Sequence, residues 1–137
     1  MRTKNIQTIA RILLGVVLVV FGLNGFLQFM PTPPMAEPAA GFIGAILATG
    51  YLMPLVKIIE IGVGVLLLTN RFVPLALVVL APISVNIVGF HLFLDVSGIG
   101  PAALVMLLNI YLLWAQRDHF EPVLRARASR APSAVGA

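Results

Sequence analysis

Four long apolar stretches alternate with short polar or proline-rich segments along the chain. A helix that crosses the hydrocarbon core of a membrane needs about 20 mostly apolar residues. The stretches near this length predict four spans, at residues 9–29, 53–69, 72–94 and 101–116. Pro74 suits the first turn of the third span, whereas Pro82 falls within that span and predicts a kink. The pattern therefore predicts an all-α, integral membrane four-helix bundle.

The segment between the first two spans has a different character. It begins with a proline-rich stretch, Pro31 to Pro38, which cannot remain helical for long. The residues from Ala39 to Gly50 are apolar and rich in small side chains, but they are too few to cross a membrane. We therefore expect a short interfacial or re-entrant helix between the first two spans.

Basic residues are confined to the loops of one predicted side, apart from Lys57. They are found at the start of the first span, between the second and third, and after the fourth: Arg2, Lys4, Arg11, Arg71, Arg117, Arg125, Arg127 and Arg130. Because positive charge is retained on the cytoplasmic side, we predict an N-in/C-in topology in the plasma (inner) membrane. The first apolar run is longer than the core of a signal peptide, so we expect it to be retained.

Composition supports the membrane class and narrows the function. Of the 137 residues, 60% are hydrophobic and only 10% are charged, whereas about a quarter of the residues of a soluble domain are charged. The chain has no cysteine, which excludes a disulfide framework and a thiolate metal site. The net charge of +4 does not indicate nucleic-acid binding, because it arises from the ends and one loop. We expect one transmembrane domain over residues 1–120 and a basic, disordered cytoplasmic tail over residues 121–137.

Polar side chains within the predicted spans lie in the outer half of the bundle or near its midplane. This depth follows from a rise of about 1.5 Å per residue for Asn24, Gln28, Lys57, Glu60, Ser84, Asn86, His91 and Asn109. A charged side chain in a membrane faces the bundle interior or a wet cavity. We therefore predict a polar pocket open to the outside, with the ligand-binding residues Asn24, Gln28, Lys57, Glu60, Asn86 and His91. We expect no metal there, since only two of them are suitable ligands.

Each of these residues also has a structural interpretation. Lys57 and Glu60 are three residues apart and can form an ion pair that only fixes helix packing. Lys57 can instead extend its amine to the outer interface. The asparagines suit hydrogen bonds between helices, and His91 suits a hydrogen-bonded packing role. Glycines expected to allow close helix packing are Gly22, Gly25, Gly62 and Gly64.

Asn86 and His91 cannot serve the predicted pocket in the same way. They are five positions apart, which is roughly 140° around a helix. Asn24 and Gln28, in contrast, are four apart and are expected to share a helix face. One of Asn86 and His91 is therefore expected to face a neighbouring element.

Two stretches resemble the DoxX family of membrane proteins. They are ARILLGVVLVVFGLNGF in the first span and the segment from Gly50 to Asp95, in which Glu60 precedes Gly62 and Arg71 precedes Pro74. The resemblance covers residues 10–120 and implies a four-helix membrane bundle. The family is named after a subunit associated with thiosulfate:quinone oxidoreduction. Some members are linked to membrane complexes that handle oxidative stress with soluble redox partners.

Three functions of different classes remain open at this point. The first is a membrane subunit of a redox or oxidative-stress system, with a soluble or membrane redox partner. Its pocket would bind a quinone or a small solute, and Glu60 and His91 would carry protons. The second is a non-catalytic membrane anchor or assembly factor. The third is a small-solute transporter acting as a homo-oligomer, because four spans without a visible repeat leave little room for alternating access in one chain. No catalytic motif is present, and the lack of cysteine argues against a thiol-reacting role.

Overall fold

The computed structural model describes residues 2–124, and these residues form helices joined by short loops. The helices are α1 (Arg2–Leu27), α2 (Glu37–Ala48), α3 (Leu52–Leu68), α4 (Val73–Phe93), α5 (Ile99–Ala115) and α6 (Glu121–Leu124). Two 3-10 turns, Val96–Gly98 and Arg117–His119, precede α5 and α6. The predicted all-α class is confirmed over this range. Of the tail predicted at 121–137, the residues after 124 lie outside the described part.

Three helical segments are long and apolar enough to cross a membrane. They are α1, α4, and α5 together with the 3-10 turn before it (Val96–Ala115). Helices α2 and α3 meet the same criterion only as a pair, and they are bent by 90° relative to each other, so the total is three or up to four. Only 22–28% of the three segments is buried inside the protein. Their remaining surface is mostly apolar and suits contact with lipid.

The observed helix bounds follow the predicted spans closely, except at the N-terminus. Helices α3, α4 and α5 begin and end within two residues of the predicted limits. Helix α1 starts at Arg2 instead of residue 9, because the polar residues before the apolar run are also helical. Helix α4 continues across Pro82 from Val73 to Phe93. Hydropathy therefore located the apolar segments but not the polar extension of α1.

Four of the helices pack as an antiparallel bundle around one apolar core. Helix α1 contacts α3 and α5, and α4 also lies between α3 and α5. The core is formed by leucine, valine and alanine side chains from all four: Ala10, Leu14, Leu18, Val63, Leu67, Val73, Ala76, Leu77, Leu80, Val105 and Leu112. One end of the bundle carries residue 2, the loop at 69–72 and residues 116–124. The other end carries α2 and the 94–98 loop.

Glycines bring the backbones of α1 and α3 into contact. A Cβ atom at Gly64 would lie 2.9 Å from the carbonyl oxygen of Gly15 and 2.7 Å from Cγ2 of Val19. Since backbone atoms cannot move aside as a flexible side chain can, only glycine fits at this position. Packing of small residues is a common means of joining membrane helices, because it increases van der Waals contact.

The four glycines predicted to lie at helix contacts do not behave alike. Gly22 faces Ile61, and Gly25 faces Lys57, so both lie in the α1–α3 contact together with Gly64. The prediction for Gly62 is wrong, because this glycine is exposed and a Cβ atom there would meet nothing within 4 Å. Gly62 and Gly64 are two residues apart and therefore point to nearly opposite sides of α3.

The end of α3 is closed by its own backbone and by a side chain from α1. Asn70 adopts a left-handed conformation (φ 56°), and its N–H donates to the carbonyl of Leu67 at 3.2 Å. The N–H of Arg71 donates to Leu66 at 2.9 Å, which completes a Schellman motif. Arg11 of α1 also donates to the Leu67 carbonyl. A guanidinium at a helix C-terminus is favourable because of the helix dipole.

Candidate functional site

The middle of α3 contains an ion pair. Lys57 Nζ lies 2.8 Å from Glu60 Oε2, and the two side chains are 21% and 3% exposed respectively. The spacing of three residues places both on one face of the helix. This is the contact that the sequence predicted for the two residues, and the amine lies on the carboxylate instead of extending to the outer interface. The carboxylate is therefore neutralised by a cation from its own helix.

Helix α1 supplies the wall against which this ion pair lies. A Cβ atom at Gly25 would lie 2.5 Å from Lys57 Cγ and 2.6 Å from Lys57 Cδ. A Cβ atom at Gly22 would lie 3.3 Å from the backbone oxygen of Lys57 and 2.6 Å from Cγ1 of Ile61. The absence of side chains at both positions leaves space for the aliphatic stem of Lys57 between the helices. The stem is packed by this contact, and the ammonium is held close to Glu60.

The two site residues predicted in the first span, Asn24 and Gln28, lie at the end of α1. Asn24 Oδ1 accepts a hydrogen bond from the N–H of Met30 at 2.8 Å, so this side chain fastens the chain where it leaves α1. Gln28 is exposed and has a left-handed conformation (φ 49°). The helix ends at Leu27. The expectation that Asn24 and Gln28 share a helix face is therefore wrong, because Gln28 no longer belongs to the helix.

Asn86 points out of the bundle. Its side chain is exposed, and its Nδ2 donates to the carbonyl of Pro82 in the same helix at 2.8 Å. Ser84, two residues earlier, is buried, and two residues correspond to about 200° around a helix. Asn86 thus faces away from the interior that Ser84 faces, and it does not line a pocket shared with Glu60.

His91 packs against the loop between α4 and α5 and forms a hydrogen bond with its backbone. Its Nδ1 lies 2.8 Å from the carbonyl oxygen of Asp95, and its ring lies against Gly98, where a Cβ atom would overlap it. The ring also packs edge-on against Phe90, with 5.0 Å between centroids. Phe90 in turn contacts Phe42 of α2, at 5.7 Å. These contacts match the hydrogen-bonded packing role that the sequence left open for His91.

Asp95 lies in the same loop and accepts two hydrogen bonds from Ser97. Its Oδ1 is 2.6 Å from Ser97 Oγ and 3.2 Å from Ser97 N. The hydrogen bond from the hydroxyl is the main reason why the pKa of Asp95 is lowered from its ordinary value of 3.8. Slight burial opposes this effect, while the backbone hydrogen bond and the nearby His91 add to it. The loop is therefore held by an ionised carboxylate.

A buried polar pair joins α4 and α5, which agrees with the interhelical hydrogen bonds that the sequence suggested for the asparagines, although Ser84 was not predicted as the partner of Asn109. Asn109 is 1% exposed and Ser84 is 3% exposed. Asn109 Nδ2 donates to Ser84 Oγ at 3.3 Å, and Ser84 Oγ donates to the carbonyl of Ala81 at 2.9 Å. Among residues 2–124, Asn109 Oδ1 is buried without a hydrogen-bond partner. The signal was present in the sequence, because Ser84 and Asn109 lie within about one helical turn of the depth of Glu60.

The structure thus divides the six predicted site residues into separate groups. Lys57 and Glu60 form a pair. Asn24, Asn86 and His91 instead form hydrogen bonds with backbone groups away from this pair, and Gln28 is exposed. Residues 2–124 contain no group of three histidine, aspartate or glutamate side chains that could hold a metal ion. No family model, curated protein or solved structure matches this chain. The chemistry of the Lys57–Glu60 pair, with its buried carboxylate, therefore carries the functional inference.

Proposed function

We propose that the chain is a DoxX-like, four-span integral membrane protein and the membrane subunit of a redox or oxidative-stress system. Its polar centre is the Lys57–Glu60 ion pair, which binds a quinone or another small solute. The single observation that carries this proposal is the buried carboxylate of Glu60 with an ammonium at 2.8 Å. An ionisable residue inside a membrane bundle is costly and is usually functional.

The proposed topology is N-in/C-in in the plasma (inner) membrane, with α3 crossing the membrane as the second of four spans. It is supported by the distribution of charge over the two ends of the bundle. Arg2, Lys4, Arg71 and Arg117 are found at one end, and Glu37 and Asp95 at the other. Positive charge marks the cytoplasmic side. Helix α2 is bent by 90° from α3 and only Ala39 in it is buried, which suits a helix lying along the outer interface.

Lys57 has the donors that a carbonyl ligand requires. An ammonium group has three N–H bonds, and Glu60 accepts one of them. The side chain also keeps 21% of its surface exposed. A carbonyl oxygen of a bound quinone would accept a second hydrogen bond from Lys57, while Glu60 holds the ammonium in place. A quinone would supply the capacity to accept electrons and protons from a redox partner.

The test is native mass spectrometry of the detergent-purified protein, comparing wild type with Glu60→Gln. Asp95→Asn is the matched control, because it makes the same carboxylate-to-amide change outside the spanning helices. We expect a small molecule that accompanies the wild type and Asp95→Asn and is lost from Glu60→Gln. Circular dichroism and size-exclusion chromatography show whether Glu60→Gln remains folded. A wild type that carries no small molecule contradicts the binding proposal.

A non-catalytic membrane anchor or assembly factor is the second candidate. It is favoured by the local bonding of the other polar side chains, since Asn24, Asn86 and His91 each bond to backbone groups close to them in sequence. In this case the ion pair would only specify helix packing. The double variant Lys57→Met with Glu60→Gln distinguishes the candidates. If it folds, retains its protein partners and leaves the phenotype of the cell unchanged, the pair is structural and the anchor function is favoured.

A further inference from the structure

The outward surface of the helical bundle is mostly apolar. Between residues 9 and 23 of α1, and throughout α3, α4 and α5, Asn86 is the only exposed side chain that carries an amide, a hydroxyl or a charge. It lies seven residues before the end of α4 at Phe93, which is about 10 Å along the helix. In a membrane that α4 spans, an amide at this depth would lie beside lipid tails, which offer no hydrogen bonds.

The hydrogen-bonding capacity of Asn86 is only partly used. One N–H of its amide donates to the Pro82 carbonyl. The second N–H and Oδ1 have no hydrogen bond within residues 2–124. An unpaired polar group in hydrocarbon is unfavourable by several kcal/mol. A donor and an acceptor therefore remain open on the same side chain.

Pro82 lies on the same side of α4 and changes the backbone hydrogen bonding of this helix. Proline has no N–H, so it cannot donate to the carbonyl four residues earlier, that of Val78. Val78, Pro82 and Asn86 are spaced four apart and all three are exposed, so they follow one side of α4. Gly89 continues this side, and a Cβ atom there would meet nothing within 4 Å. We define the Asn86 face as Val78, Pro82, Val85, Asn86 and Gly89.

We infer that the Asn86 face binds the same face of a second copy of this chain within the membrane. Two copies with the same orientation in a bilayer are related by a two-fold axis along the membrane normal, and such an interface brings identical residues together. Asn86 then meets the partner's Asn86 at equal depth. Because an amide is both donor and acceptor, the pair is self-complementary. Hydrogen bonds of this kind join membrane helices.

This inference does not depend on the redox proposal, because α4 by itself is long and apolar enough to span a membrane. A lipid cannot replace the second copy, since its tails have no group to pair with the amide. Gly89 lets the two helices come close, because no side chain projects from it. The other exposed residues of the face are apolar and would be covered equally well by lipid or by protein. The preference for a second copy over lipid therefore depends on the amide of Asn86.

Cysteine cross-linking tests the interface directly, because the chain contains no cysteine of its own. Val85→Cys and Leu107→Cys form a matched pair: both positions are exposed, at 56% and 65%. Each also lies eight residues from the end of its helix at Phe93 or Ile99. In vesicles with a large excess of lipid, we expect oxidation to give a disulfide dimer at position 85 and not at position 107. Val78→Cys and Gly89→Cys extend the scan along the face.

A second variant separates specific pairing from random collision. Adding Asn86→Leu to the Val85→Cys variant should reduce its disulfide-dimer band at least several-fold. Adding Leu107→Ala to the same variant is the control and should leave the band unchanged. Equal cross-linking at positions 85 and 107 overturns the inference, as does cross-linking that is insensitive to Asn86→Leu. Leucine suits a lipid-facing site, so this variant is not expected to impair folding.

Energy transfer between labelled copies gives a measurement that does not need disulfide geometry. Donor and acceptor dyes are attached to Thr32→Cys, an exposed position outside the helices. We expect transfer that falls as lipid is added, with Asn86→Leu weakening association about 3-fold to 30-fold. A wild type that shows no transfer above that of random mixing at any lipid ratio contradicts the dimer.

Discussion

Gly25 of α1 and Lys57 of α3 are in contact beside the ion pair that Lys57 forms with the buried carboxylate of Glu60. A Cβ atom on Gly25 would lie 2.5 Å from Lys57 Cγ. At this distance, either the Cβ atom or the lysine side chain must move. The ammonium at the end of the same side chain is 2.8 Å from Glu60 Oε2. A glycine on one helix thus controls the placement of a charge on another.

The first prediction is that Gly25→Ala is destabilising by about 1–3 kcal/mol, as is usual for overpacking. The methyl group would displace the stem of Lys57 and lengthen its contact with Glu60. Gly62→Ala is the control, since a Cβ atom there meets nothing within 4 Å. We expect it to be neutral or slightly stabilising, because alanine favours helix over glycine. Unfolding by denaturing detergent in mixed micelles measures the free energies, and equal values for both variants contradict the packing role of Gly25.

The second prediction concerns the removal of one charge at a time. Lys57→Met leaves the Glu60 carboxylate buried without its cation, which should lower the free energy of unfolding by about 3–5 kcal/mol. Replacing both residues, Lys57→Met with Glu60→Leu, should recover most of this loss, because no unpaired charge remains. The same unfolding assay, applied to wild type, to Lys57→Met, to Glu60→Leu and to the double variant, gives the double-mutant cycle. If Lys57→Met alone is as stable as wild type, the ion pair does not stabilise the fold.

The third prediction is that Asn109→Leu is close to neutral, within about 1 kcal/mol. It removes a buried carbonyl oxygen that has no partner among residues 2–124, and the Ser84 hydroxyl still donates to Ala81. Ser84→Ala, in contrast, leaves the Asn109 amide without its acceptor and should be destabilising by about 1–3 kcal/mol. Thermal unfolding of both variants checks that Ser84→Ala is the more destabilising of the two. A loss in Asn109→Leu as large as that in Ser84→Ala, or larger, contradicts this prediction.

The fourth prediction concerns the pH dependence of the loop between α4 and α5. The pKa of Asp95 is lowered from 3.8, mainly by the Ser97 hydroxyl. Its stabilising effect is therefore fully present above pH 3.8 and is lost as the pH falls through the lower pKa of the folded state. Ser97→Ala should raise this pKa towards its ordinary value, while Ser97→Thr, which keeps the hydroxyl, should not. An NMR titration of the Asp95 carboxyl carbon measures the shift, and an unchanged pKa in Ser97→Ala would exclude this hydrogen bond as its cause.

Local sequence patterns were sufficient to find the apolar segments and the ion pair. The limits of α3, α4 and α5 agree with the predicted spans because hydropathy and proline placement act within one segment. The contact between Lys57 and Glu60 follows from a spacing of three residues on a single helix. The start of α1 was predicted less well, since the polar residues before the apolar run are also helical, from Arg2 onwards.

Whether a polar side chain points into the bundle or out of it depends on the helices that pack against its own helix. Asn86 and Asn109 are the same residue type, in equally apolar surroundings in the sequence. One is exposed on the surface of α4, and the other is 1% exposed inside the bundle. In the same way, Gly62 faces outward while Gly64 lies against the backbone of α1. Nothing within either helix distinguishes these positions.

The sequence by itself determined an all-helical chain with spans for a membrane and a charged pair within one of them. These properties depend on hydrophobicity and on spacing along a single helix, which are local. The tertiary structure decided which glycines join α1 to α3, which asparagine is buried with Ser84, and which one is exposed on the surface of α4. The physical reason is that a helix has apolar residues all around when it lies in lipid, so its pattern does not mark the inward side. Only packing against the other helices selects that side.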